Sequence, residues 1–233
     1  SYSDLWRYRS SVTVTVLAWL GASIAVSGLV LWGPTFLERI LDISADEAAL
    51  LFLLVALGSF AGRLFFSFMP QLLGRRTCGL LMGLGAAPSL ALAAFSGDTE
   101  VAGVPLFLLA LIPAAFFVDG GFANLAPYTP EVFPTSLRTH GMGLAWAVSG
   151  VGRIIGPLVI ALVAGTGDLV EPEATLDALA PSFLFLAASA LLVAVGFLLV
   201  RIEPHGRDLE TLASELAEEA ARPAGGAAAI EQT

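Results

Sequence analysis

The sequence predicts an all-α, polytopic membrane protein of the six-helix kind. Three observations predict it. The 233 residues are 57% hydrophobic and only 13% charged, with mean hydropathy +0.84, whereas a soluble domain carries roughly 25% charged residues. The apolar residues gather into six runs, each close to the length of about 20 residues that crosses the hydrocarbon core as a helix. Turn formers and charges fill the gaps between the runs.

The runs cover residues 12–37, 48–69, 77–97, 103–127, 140–164 and 180–200. Trp6 and Tyr8 precede the first and suit one headgroup belt, and Trp32 suits the opposite belt. The connections are LERILDISADE, LLGRRT, SGDTEVAG, YTPEVFPTSLRTHGMG and GTGDLVEPEATLD. In the fourth connection, Pro127 and Pro130 are expected to end the preceding helix, because proline lacks the amide donor and clashes with the turn before it. Pro134 is expected to hold the linker extended. Residues 204–233 form an acidic tail, in which LETLASELAEEAA suits a short amphipathic helix and RPAGGAAAIEQT suits disorder.

The 11 basic residues are all arginine. Outside the runs, Arg7, Arg9, Arg75, Arg76, Arg138, Arg201, Arg207 and Arg222 fall on one side, and Arg39 alone on the other. Basic loops stay in the cytoplasm, so both termini of this chain and the Gly74-Arg75-Arg76 turn are expected there, in a cytoplasmic (inner) membrane. The partner expected from this is the lipid bilayer. Gly58/Gly62, Gly79/Gly83 and Gly152/Gly156 have the spacing that lets membrane helices approach closely. Pro34, Pro88, Pro113 and Pro157 lie inside runs, where membranes tolerate them.

Several classes are excluded or disfavoured. A net charge of −9 without a basic patch argues against nucleic acid. A single cysteine, Cys78, rules out an internal disulfide, and no His/Cys/Asp/Glu cluster has metal-ligand spacing. Ser149 has no histidine inside a run to activate it, His140 sitting at a loop edge, so no enzyme is expected. No phosphate-cradling loop occurs, and no cofactor is expected. The start shows no charged region followed by an apolar core and cleavage site, so no signal peptide is expected.

Three ionisable residues fall inside the runs: Arg63, Asp119 and Arg153. Each costs roughly 2.5–3.5 kcal/mol at a helix centre, so such residues face a bundle interior or a wet cavity. Asp119 and Arg153 lie at similar depth on sequential helices, and the reading leaves two arrangements open: they pair, or each faces a cavity. Arg63 lies nearer the cytoplasmic end and suits snorkelling. Asn124, Tyr128 and Trp146 are further candidates for a cavity wall. Asp119 and Arg153 suit a substrate or proton site near the midplane, and two arginines against one acid tilt a cavity toward anions such as carboxylates.

Residues 130–143, PEVFPTSLRTHGMG, resemble the loop between the tenth and eleventh helices of the major facilitator superfamily. GVGRIIGP resembles the run that follows it in the eleventh helix. Gly74-Arg75-Arg76 resembles the end of the superfamily's G-x-x-x-D-R-x-G-R-R loop, and PHGRDLE resembles the ending after its twelfth helix. Gln71, Leu72 and Ser67 depart from that loop at its aspartate, basic and first glycine positions. The resemblance implies a C-terminal six-helix half, with an N-terminal six-helix half expected as its partner within the same polypeptide. It further implies secondary transport of a small organic metabolite by alternating access, with protons as coupling ion and an organic anion the favoured substrate. It also implies a cytoplasmic gate in which Glu131 pairs with Arg75, Arg76 or Arg138. Two rival readings are a non-transporting membrane partner and a half-transporter that dimerises.

Overall fold

A computed structural model describes residues 2–97, 99–164, 176–199, 203–204, 211 and 214. The described residues form helices α1 (Tyr2–Leu5), α2 (Arg9–Leu41), α3 (Ala45–Phe68), α4 (Pro70–Leu73), α5 (Arg75–Ala94), α6 (Leu106–Val118), α7 (Phe122–Glu131), α8 (Arg138–Ala164) and α9 (Leu179–Leu199). A two-stranded hairpin, β1 (Glu100–Val101) and β2 (Val104–Pro105), joins α5 to α6. It turns at Ala102 and Gly103, both at positive φ, the geometry that suits a tight hairpin. Six segments are long and apolar enough to cross a membrane, and α6 with α7 makes up one of them. The acidic tail's expected helix and disordered end lie outside the described residues, apart from Pro204, Thr211 and Ser214.

Packing follows the apolar faces. α2 is central, against α8 and α9, with α3 on its flank; α5 packs on α9 and α6, and α6 packs on α3. Ser44 caps α3 reciprocally: its hydroxyl accepts from the Glu47 amide, and the Glu47 carboxylate accepts from the Ser44 amide, which satisfies two orphan donors at the helix start. Asp42 closes α2 in the left-handed region at φ 51.

Close backbone approach is what the small residues supply. A Cβ on Gly156 would lie 2.5 Å from the Ile24 carbonyl oxygen, and one on Gly152 would lie 3.0 Å from that of Leu20. α8 therefore lies directly on the α2 backbone. The Ser23 hydroxyl donates to that of Ser149 across this contact (2.8 Å). Trp32 is buried here as well, with its indole nitrogen donating to the Pro157 carbonyl (3.2 Å). The expected membrane-interface role of Trp32 is thus corrected: the indole finds its polar partner inside the bundle, at a carbonyl beside Pro157. Trp6 is exposed as expected.

The fourth span departs from expectation in two places. α7 continues through Pro127 and Pro130 and ends only after Glu131, with the Val132 amide donating to the Tyr128 carbonyl. The prolines do not terminate it; packed neighbours hold a membrane helix together around a missing donor. The real interruption is at residues 119–121. There the Gly120 amide reaches back to the Ala115 carbonyl, a wide turn, and the Phe122 amide to the Asp119 carbonyl, a tight one. Pro134 is extended at φ −56 and ψ 152, as its ring requires.

Gly156→Ala is expected to destabilise the bundle by about 1–3 kcal/mol through overpacking. Gly150→Ala, whose Cβ would meet nothing within 4 Å, should change stability little. Thermal unfolding of the two variants in detergent checks this contrast.

Candidate functional site: two ion pairs and an exposed arginine

The first ion pair lies at the broken helix. Asp119 closes α6, with its amide donating to the Ala115 carbonyl (3.0 Å). Arg63 of α3 donates through Nη2 to Asp119 Oδ1 at 2.8 Å. The neighbours of these two residues explain the meeting. A Cβ on Gly120 would lie 2.5 Å from Gly62 Cα, so only glycine at both positions allows α3 to come this near the α6–α7 junction. The Arg63 side chain is 54% exposed and that of Asp119 is 19% exposed. Both line an open cavity between α2 and α3. Of the two arrangements left open for Asp119 and Arg153, the pair is not found: Asp119 lines a cavity and pairs with Arg63. Arg63, expected to suit snorkelling, donates to this acid instead.

The second ion pair lies at the arginine-rich end. Arg75 grips Glu131 with two hydrogen bonds, Nε to Oε2 at 2.5 Å and Nη2 to Oε1 at 2.7 Å. Of the three partners implied for Glu131, this is the one found. Arg76 instead donates from Nε to the Phe197 carbonyl (3.0 Å), and no ion pair of Arg138 is found among the described residues. The pair is about three-quarters buried, with side-chain exposures of 23% and 25%.

A third carboxylate, from Glu203, completes this end. It accepts from the amides of Arg75 (3.1 Å) and Arg76 (3.0 Å), the first two residues of α5. An anion here satisfies orphan donors and meets the positive end of the helix dipole. Gly74 makes room for it: its φ is +82, and a Cβ would lie 2.7 Å from Glu203 Oε2. Sequence reasoning passed over Glu203. The available signal was an acid just beyond the last apolar run, to be matched with a helix that starts on glycine without a capping side chain.

Asn124 and Tyr128 belong to this same assembly. Asn124 is fully buried and donates from Nδ2 to the Arg75 carbonyl (3.0 Å). Tyr128 is 1% exposed and stacks on Phe197 at 5.0 Å. Neither presents a wall to open space here, contrary to expectation, because the break before Phe122 re-aims α7 toward the start of α5. Trp146 and Arg153 lie elsewhere, on the exposed face of α8. The Arg153 guanidinium carbon sits 6.0 Å from the Trp146 ring centroid, within cation–π range. Trp146 in turn lies 5.5 Å from Trp19 of α2. Arg153 has no acidic partner among the described residues.

Long apolar helices, glycine-mediated packing and ionisable groups confined to a few faces define a multi-pass α-helical membrane protein. The profile of the Major Facilitator Superfamily matches residues 9–229, and the chain belongs to that family. It is 25% identical over 214 residues to the niacin transporter NiaP of Acinetobacter baylyi, covering 91% of this chain and 45% of that protein. It is 29% identical over 150 residues to the citrate-proton symporter of Klebsiella pneumoniae, covering 62% of this chain and 33% of that one. Its fold matches the structure of the proton:xylose symporter XylE with a TM-score of 0.68 at 19% identity, covering 94% of this chain and 50% of XylE. The chain thus spans half or less of the length of these proteins.

Cys78 is buried one turn into α5, behind the Arg75–Glu131 pair. Glu131→Arg is expected to speed its labelling by a water-soluble maleimide about tenfold, the equivalent of roughly 1.4 kcal/mol. An unchanged labelling rate would show that the pair does not hold this end closed.

Proposed function

We propose that this chain is one six-helix half of a secondary transporter for a small organic anion, coupled to protons and working by alternating access. The observation that carries the proposal is the charge balance on the open faces. Arg63 and Arg153 are exposed along spanning helices; Asp119 pairs with Arg63, and Arg153 has no acidic partner among the described residues. A membrane-depth surface with excess positive charge attracts an anion, and its expense requires a use. Relatives named for niacin and citrate transport agree with a small organic acid.

In this reading, Arg153 and Trp146 meet the substrate, and Asp119 carries the proton. Half-bundles that rock about a midplane site give alternating access. The second half is supplied by a further six-helix unit of the same polypeptide, and the arginine-rich end faces the cytoplasm. There the Arg75–Glu131 pair serves as a latch. Partly exposed pairs contribute about 1 kcal/mol or less, which suits a contact that must open and close between states of similar energy.

Arg153→Ala in the intact protein is expected to lower uptake of a labelled organic acid at least about a hundredfold, the loss of roughly 2.7 kcal/mol expected for an unpaired ionic contact. Arg153→Lys should restore part of it. Full uptake by Arg153→Ala would remove this residue from the substrate path.

A further inference from the structure

We infer that Gly150 is a specificity-determining residue of the site on α8: it keeps a gap open between Trp146 and Arg153 that admits a carboxylate carried on a flat ring and turns away a thicker body. The inference rests on the reading that Arg153 and Trp146 meet the substrate, and it deepens that reading by naming the shape of the ligand.

No neighbour in this half accounts for glycine at position 150. Glycine is a poor helix former, yet this one stands in the middle of α8. Other glycines of the same helix are explained by what they touch. A Cβ on Gly141 would strike the Phe133 ring, and one on Gly156 would lie 2.5 Å from the Ile24 carbonyl oxygen. Gly150 is exposed, and a Cβ on it would meet nothing within 4 Å.

The residues on either side of the gap are the two already placed on the substrate path. Trp146 lies four residues before Gly150 (150 − 146) and Arg153 three after it (153 − 150), so all three share one face of the helix. Their backbones from 146 to 153 span roughly 10 Å of helix axis. The guanidinium carbon is nevertheless 6.0 Å from the indole centroid. The two side chains therefore close toward each other across the level of Gly150. Neither comes within 4 Å of the place a Cβ would occupy, and open space is left over the backbone there.

The two ends of the gap differ in stiffness. Trp146 is backed by Trp19 at 5.5 Å. Trp19 is buried, donates from its indole nitrogen to Thr129 Oγ1 (2.8 Å) and meets the Phe122 ring edge-on at 5.5 Å. The chain Phe122–Trp19–Trp146 thus holds an exposed indole as a fixed platform. Arg153 is held only at the outer limit of cation–π range, with no acidic partner among the described residues. A carboxylate can take the guanidinium through two parallel bonds, while a ring attached to it stacks on the indole above Gly150. A planar ring needs one layer of about 3.5–4 Å for this contact. A puckered ring needs more, and a side chain at position 150 would fill the layer.

The test is titration calorimetry on the intact protein in lipid nanodiscs, with benzoate, cyclohexanecarboxylate and propionate as probes. The two ring acids have equal charge and carbon number and differ in thickness. Benzoate should bind at least about tenfold more tightly than cyclohexanecarboxylate. Gly150→Ala should weaken benzoate about threefold and Gly150→Leu at least about thirtyfold, while propionate, whose body stops short of the gap, stays within about twofold. Trp146→Leu should bring the two ring acids within about twofold of each other. Each comparison is between ligands on one variant, so a loss of folded protein does not imitate it.

The inference is overturned if the unmodified protein binds both ring acids equally, or if Gly150→Leu leaves benzoate unchanged. It is also overturned if Gly150→Leu weakens propionate as much as benzoate, which would make Gly150 a packing residue for the second half. In any of these cases, carboxylate binding that is lost with Arg153→Gln keeps the anion site on α8. If the unmodified protein binds no carboxylate, or if binding survives Arg153→Gln in full, the α8 reading falls and the role of Gly150 falls with it.

Discussion

Gly62 and Gly120 meet backbone to backbone, and the arrangement of charge in this bundle depends on that contact. A methyl group on either would hold α3 away from the α6–α7 junction. Arg63 and Asp119 are the sequence neighbours of these glycines, so the contact delivers them to each other. An ionised residue at membrane depth is tolerable when it has a partner. The glycines thus supply the geometry, and the ion pair reduces the cost of placing charge there. The same junction breaks the helix, and beyond the break Asn124 and Glu131 of α7 both meet Arg75 at the start of α5, while Tyr128 packs on Phe197 of α9.

The two ion pairs sit on the same two stretches of chain. From Arg63 to Arg75 is 12 residues (75 − 63), and from Asp119 to Glu131 is also 12 (131 − 119). Their surroundings differ. The Arg63–Asp119 pair has one contact and opens on a cavity, and the Arg75–Glu131 pair has two contacts beside the Glu203 cap. A single contact with exposed donors exchanges partners readily, whereas a two-point contact next to a capped helix start resists it. One segment pair therefore carries an exchangeable contact and a firmer one, joined by the short helix α7.

The six spans were legible in the sequence because length and apolarity are properties of a run, independent of what the run packs against. The extended Pro134 and the packing role of Gly152 and Gly156 were legible for similar local reasons. The partner of Asp119 was not. Counting residues gives depth along a helix, but pairing depends on rotation about the axis, and the break at 119–121 changes that rotation. The Gly120-Gly121 dipeptide was the available hint of a break, while Pro127 and Pro130 drew attention to the wrong turn. Trp32 and Glu203 needed tertiary knowledge outright: one looks like a belt residue until Pro157 is beside it, and the other looks like tail until the start of α5 is beside it.

The exposed surface is itself divided by chemistry. α5 beyond Arg76 and α9 carry no charged residue, and they expose leucines such as Leu84, Leu92, Leu191 and Leu198. α3 and α8 expose apolar residues too, but Arg63 and Arg153 lie among them. Lipid contact is compatible with the first surface and costs roughly 2.5–3.5 kcal/mol per arginine on the second. The α5–α9 side is therefore suited to hydrocarbon, and the α3–α8 side to water, ligand or protein. Central α2 lies between α3 and α8, so the cavity beside Arg63 and the indole beneath Arg153 open on its two flanks. Past the arginine pair that opens α5, Arg63 and Arg153 thus fall on the α3–α8 side and the uncharged leucines on the other, and that asymmetry follows from sequence and packing alone.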